Sequence, residues 1–153
     1  QFLTGYRKTA MAPGEFIESV RVPRLLPGQE FHAYKISKRF DQDISAVCAA
    51  LAIELDGDRI VSARVAYGGL AATVKRAAQA EAALLGQPWT EATLQCAMAA
   101  LARVYTPLTD MRASAGYRLQ VAQNLLRRFW LETRPVDPLP ESAISVWARQ
   151  EST

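Results

Sequence analysis

The run Ser45-Ala-Val-Cys-Ala-Ala-Leu-Ala-Ile-Glu-Leu-Asp-Gly-Asp-Arg-Ile-Val-Ser-Ala-Arg-Val-Ala-Tyr67 decides the fold. In its first half Val47, Ala49, Leu51, Ile53 and Leu55 recur at every second position; in its second half Val61, Ala63, Val65 and Tyr67 do the same. A period of two places one set of side chains on one face of a strand. Between the halves lies Asp56-Gly57-Asp58, a turn sequence that tolerates positive backbone dihedrals and predicts a hairpin. Upstream, Phe31-His-Ala-Tyr-Lys-Ile-Ser37 alternates as well, with His32, Tyr34 and Ile36 on one side and Phe31, Ala33, Lys35 and Ser37 on the other. Lys38, Arg39, Phe40, Asp41, Gln42 and Asp43 then form a charged loop before Ile44. Such a loop serves either as a solvated connection, with Arg39 and Asp43 as a surface ion pair, or as the edge of a cofactor or substrate site.

Another alternating run is expected at Phe16 to Val22, stopped by Pro23, with a second turn at Pro27-Gly28. Beyond Gly68-Gly69 the period changes to that of helices. Thr73 is expected to cap a helix over Val74 to Leu85, closed by Gly86 and Pro88. Thr90 caps a second, whose stripe is Leu94, Ala97, Met98, Leu101 and Tyr105, ended by Thr106-Pro107. A third runs from about Ser114 to Glu132 on Leu119, Ala122, Leu125, Leu126 and Phe129, with Arg118, Arg127 and Arg128 lying partly outside that face. The prolines between Arg134 and Pro140 predict an extended tail, and a short last segment is expected to dock by Ile144 and Trp147. Strands followed by helices, without βαβ alternation, define an α+β fold: an antiparallel sheet of three to four strands packed against a layer of three helices.

The chain has 153 residues, half of them hydrophobic and 22% charged, which is enough for one packed domain. Its net charge of +3 comes from scattered cations, so neither charge nor pattern argues for nucleic acid. No apolar run approaches the ~20 residues of a membrane span. Cys48 and Cys96 lie far apart in alanine-rich surroundings without Cys-x-x-Cys spacing, and are expected as reduced core thiols of a cytosolic protein. His32 is the single histidine. No Gly-x-Ser-x-Gly nucleophile turn accompanies it, and no metal-ligand cluster is spaced for binding. Gly68-Gly69 lacks the third glycine of a dinucleotide fingerprint and reads as a sharp strand exit with close backbone packing.

Five segments in order carry a resemblance: Gly5-Tyr-Arg-Lys-Thr9; Pro13-Gly-Glu-Phe-Ile-Glu-Ser-Val-Arg-Val-Pro23; Tyr34-Lys35 with Arg39, Asp43-Ile44 and Val47; Tyr67-Gly-Gly69; and Pro107-Leu-Thr-Asp-Met-Arg-Ala-Ser-Ala-Gly-Tyr-Arg118. Together they resemble the C-terminal lobe of the flavin-binding part of xanthine dehydrogenase and related molybdenum hydroxylases, the family that includes the carbon monoxide dehydrogenase flavoprotein. The resemblance implies residues 1–14 as a lead-in from a preceding FAD-binding lobe, 15–133 as the flavoprotein C-terminal domain, and 134–153 as a Pro-rich tail. It implies a cytoplasmic enzyme, bacterial in type, with its flavin on a separate subunit. Electrons from purine hydroxylation at a molybdenum cofactor would pass through 2Fe-2S clusters to FAD and then to NAD. Partners would be a molybdenum cofactor-binding subunit and an Fe-S domain, with no nucleic acid and no membrane. The cofactor-binding residues so implied are Ile17 and Lys35, then Arg39 and Asp43. None is catalytic and none binds metal, and the glycine-rich pyrophosphate segment would belong to the other lobe. Phe40 and Gln42 depart from the family's second arginine and one of its acids, so the loop's electrostatics do not carry over. Asp110 and Arg112 are expected to pin the loop before the third helix. The residues alone also fit a non-catalytic subunit-docking module.

Overall fold

A computed structural model describes residues 2–39 and 43–144. A small hairpin of β1 (Leu3–Gly5) and β2 (Lys8–Thr9) opens the chain. The main sheet has β3 (Gln29–Ile36), β4 (Val47–Asp56), β5 (Arg59–Gly68) and β6 (Lys75–Arg76), antiparallel in that order. Helices α1 (Ala78–Leu84), α2 (Glu91–Val104) and α3 (Ala115–Thr133) cover one face, and α4 (Glu141–Ile144) is a single turn. The α+β architecture is the one expected from the periods.

Val47, Ala49, Leu51 and Ile53 of β4 are buried against the helices, together with Tyr34 of β3 and Val65 and Tyr67 of β5. From above, Leu84, Leu94, Ala97, Leu101, Ala122, Leu126 and Phe129 close the core. Each fully buried leucine there contributes about 1.5–3 kcal/mol over leaving it in water. Thr90 and Ser114 cap α2 and α3, their side chains accepting from the N–H groups of Thr93 and Tyr117.

Several expectations need correction. Residues 16–22 form no strand: Phe16, Val20 and Val22 are 81%, 77% and 79% exposed. Their alternation is strand-like, but a strand needs a partner, and the segment has no ladder within the described chain. Val61 does not share the core face of β5. The β4–β5 register jumps from Glu54↔Ser62 to Leu55↔Ile60, so Val61 bulges outward and Ile60 fills the core instead. The first helix starts at Ala78 rather than Val74, without a side-chain cap, because Lys75 and Arg76 pair with Tyr67 and Ala66 as a sheet edge.

Both cysteines are exposed and free, not core thiols. The β4 alternation itself puts Cys48 on the face opposite Val47 and Ala49. Arg118, expected at the margin of the α3 face, is buried. Past α3, Asp137 adopts a positive φ and the Leu139 N–H returns to Leu131 O at 2.7 Å, so the tail bends back rather than running straight out. Ile144 is half-buried at the end of α4; Trp147 lies outside the described residues.

Candidate functional site

The sheet face away from the helices has small side chains at its centre, between Lys35 at one end and Phe31 and Arg64 at the other. Across β3, β4 and β5 the paired rows read Lys35–Cys48–Gly68, Ala33–Ala50–Ala66 and Phe31–Ala52–Arg64. Alanine is a poor strand former and adds almost nothing to the stability of an open face. What it leaves is a flat surface on which another group can approach the backbone. Three strands give that surface a width of about 10 Å, and successive same-face rows lie about 7 Å apart. Lys35 is exposed at its end, and among the described residues no carboxylate pairs with its ammonium.

Three connections converge at the Lys35 end. The loop after β3 is closed by the Ala46 N–H bonding Ile36 O at 2.7 Å. Within it Asp43 accepts the Arg39 N–H at 3.0 Å and the Ile44 N–H at 2.9 Å, and meets the Arg39 guanidinium at 3.5 Å. The bond from the Arg39 backbone, helped by its guanidinium, holds the Asp43 carboxyl below its ordinary value. Asp43 therefore ties together the described residues on either side of the loop, while Arg39, with its side chain 76% exposed, keeps most of its charge toward solvent.

The second connection is Gly68-Gly69. Gly69 has φ +83°, and a Cβ there would stand 2.4 Å from Ala46 O. Only glycine fits, both by dihedral and by space. The close strand exit expected from the sequence is present.

The third is the 110–113 loop, and Arg118 ties all three together. Its guanidinium donates to Ala46 O, to Gly69 O at 3.0 Å and to Asp110 Oδ1 at 2.6 Å. Asp110 also accepts the N–H groups of Arg112 and Ala113 at 2.8 and 3.2 Å; these bonds, the first above all, keep its carboxyl below the usual range. The pinning role expected of Asp110 is present, whereas Arg112 contributes its backbone rather than a close ion pair. Sequence reading missed Arg118 as the anchor, although a signal existed: positions 118, 122, 125, 126 and 129 share one face of a 3.6-residue helix.

Of the four residues implied to touch a cofactor, Lys35, Arg39 and Asp43 gather at this end of the sheet. Ile17 does not join them: it lines a shallow concavity with Phe2, Met11, Gly14, Phe16 and Glu18, and is 55% exposed. His32 has a structural place on the other face. Its Nδ1 lies 2.7 Å from Glu132 Oε2, which also accepts the Tyr34 hydroxyl at 2.5 Å, while Arg128 Nε donates to Oε1 at 2.5 Å. Burial pushes the Glu132 carboxyl up, but the bonds from Arg128 and Tyr34 outweigh it and the net shift is downward. Tyr34 is driven well above its ordinary value, by burial first and then by donating to that carboxylate. The network locks β3 to α3.

These features define an α+β module presenting a sheet face with a small-residue centre, and a lysine and the Arg39–Asp43 ion pair at one end. The chain belongs to the CO dehydrogenase flavoprotein C-terminal domain family, which matches residues 32–133. It is 36% identical over 163 aligned residues to a xanthine dehydrogenase of Emericella nidulans, covering all of this chain and 12% of that protein. Against the carbon monoxide dehydrogenase medium chain of Afipia carboxidovorans it is 31% identical, covering 78% of this chain and 41% of the other. A solved carbon monoxide dehydrogenase of Hydrogenophaga pseudoflava, lacking the Mo-pyranopterin moiety of its molybdenum cofactor, superposes with a TM-score of 0.78 at 28% identity, over 83% of this chain and 44% of that one. The chain thus spans less than half the length of these relatives.

Proposed function

We propose that this chain closes one side of an FAD pocket in a xanthine dehydrogenase-type molybdenum hydroxylase, its partner lobe supplying the pyrophosphate site. The observation that carries the reading is the alanine-lined sheet face ending at Lys35, in a chain of a flavoprotein family. The small side chains of its Cys48–Gly68 and Ala33–Ala50–Ala66 rows suit a planar ring, and a lysine at its edge supplies a donor and a positive charge. When bound, FAD supplies a two-electron relay from 2Fe-2S clusters, fed by purine hydroxylation at a molybdenum cofactor, to NAD.

In this reading Lys35 fixes the ring edge and stabilises negative charge there by Coulomb attraction. Arg39 and Asp43 set the potential of the adjoining loop and the approach of the nicotinamide. Ile17 packs on the cofactor from the arm, the irregular segment between β2 and β3, which needs the neighbouring lobe to bring it to the sheet. The companion parts are a molybdenum cofactor-binding subunit and an Fe-S domain. We place the assembly in the cytoplasm; no helix of the described residues is long and apolar enough to cross a membrane.

The test is the visible flavin spectrum of the complete protein, wild type against Lys35→Ala. Stoichiometric FAD in the wild type and a lost or shifted spectrum with impaired NAD reduction in the variant are expected. An unchanged spectrum and unchanged NAD reduction would remove Lys35 from the pocket. A second reading, a docking module without cofactor contact, draws on the exposed arm with Phe16, Val20 and Val22. It requires that Lys35→Ala and Arg39→Ala alter neither flavin nor NAD reduction and that arm substitutions impair assembly.

A further inference from the structure

Between the exit of β3 and the residues leading into α3 lies a cavity of about 400 Å³, within the range of small-ligand sites. One wall is the end of β3 and its exit, Ile36, Ser37 and Lys38; the other is Arg112 in the loop before α3, its N-cap Ser114 and Tyr117 in its first turn. Two cations line it. The Lys38 ammonium donates to Met111 O at 2.6 Å, which leaves two of its three N–H groups for other acceptors. Arg112 stands 3.9 Å from Asp110 Oδ2, beyond hydrogen-bond length, and the other oxygen of that carboxylate is committed to Arg118 at 2.6 Å. Among the described residues no carboxylate forms an ion pair with Lys38.

Arg112 keeps only this loose 3.9 Å ion pair and Lys38 only a carbonyl, so an anion in the cavity would give each cation a charge-assisted partner. The wall adds neutral groups suited to the same ligand. Tyr117 is 48% exposed, with a hydroxyl and an apolar ring.

We propose that this cavity is a binding subsite for a phosphate or pyrophosphate group, held between Lys38 and Arg112. It goes beyond the flavin reading and does not need it, since these groups take a phosphoryl anion whether or not the alanine face meets FAD. The ligand is either a nucleotide or free anion, and the chemistry of capture is the same.

Calorimetric titration of the complete protein with inorganic pyrophosphate tests it, using wild type, Lys38→Met, Arg112→Met and, as a control cation on the outer surface of α2, Arg103→Met. Wild type and Arg103→Met are expected to bind alike. Each of the other two should weaken binding about tenfold or more, as loss of one charge-assisted contact does. Affinity should also fall with added salt. Because Lys38 is exposed and bonds only a loop carbonyl, Lys38→Met should melt with the wild type, keeping the comparison free of misfolding. If Lys38→Met and Arg112→Met also raise KM for NAD at unchanged kcat, the source is the pyridine nucleotide; if they lower FAD content, it is the flavin. If only inorganic phosphate and pyrophosphate compete, it is free anion. Equal binding by all four proteins, or none by the wild type, would overturn the proposal. Neither result bears on Lys35 and the flavin spectrum, so the two readings fail separately.

Discussion

Replacing Arg118 by Met keeps the length of the side chain and removes its charge and donors. The guanidinium is only 3% exposed and serves Ala46 O, Gly69 O and Asp110. Met leaves two carbonyls without their donor and the carboxylate without its cation. A buried acceptor stranded in this way costs about 1–3 kcal/mol. Asp110 is 38% exposed and can turn to water, so its share is smaller. The two carbonyls together bring the cost to about 2–6 kcal/mol. Against a domain stability of ~5–15 kcal/mol that is a large fraction. Chemical denaturation should show it as a lower midpoint at unchanged slope, with Arg118→Lys in between, since one ammonium cannot reach all three acceptors. Asp110→Asn should lower the midpoint less than Arg118→Met does, because an amide oxygen still accepts from the guanidinium. An Arg118→Met protein within ~1 kcal/mol of wild type would refute the reasoning, because it would mean that the three loops hold their positions without the guanidinium.

Gly69→Ala combines a positive φ with a Cβ 2.4 Å from Ala46 O, and should destabilise by more than ~2 kcal/mol in the same denaturation assay. Glu132 has a lowered carboxyl value, so its stabilising contribution is present above its ordinary value near 4.5 and is lost as pH falls through the depressed one. Glu132→Gln should therefore lower stability at neutral pH and flatten its decline in acid, as followed by thermal melts against pH. Cys48 and Cys96 should both react with a thiol reagent in the folded protein. If FAD covers the alanine-lined face, it should slow labelling of Cys48 and leave Cys96 unchanged; equal rates with and without FAD would count against that placement.

Much of this architecture was legible along the chain because the deciding signals are local. The β4–β5 hairpin follows from alternating apolar residues around Asp56-Gly57-Asp58, and the starts of α2 and α3 from Thr90 and Ser114 standing before amphipathic runs. The same alternation, followed strictly, sends Lys35 and Cys48 to the face away from the helices, so the cysteine's exposure was written in the strand period even where alanine-rich surroundings suggested a core.

Tertiary structure decided the rest, since it depends on partners distant in sequence. Residues 16–22 alternate as a strand does, yet alternation does not supply a neighbouring edge. Ile60 displaces Val61 because a register jump in β5 must be matched against β4. Arg118 is buried only because Ala46, Gly69 and Asp110, separated along the chain, meet at its guanidinium. The meeting of His32 and Tyr34 with Glu132 likewise requires α3 to lie across β3. Periodicity assigns a side chain to a face; which charges converge on that face is set by packing between elements, where burial without a partner is too costly to persist.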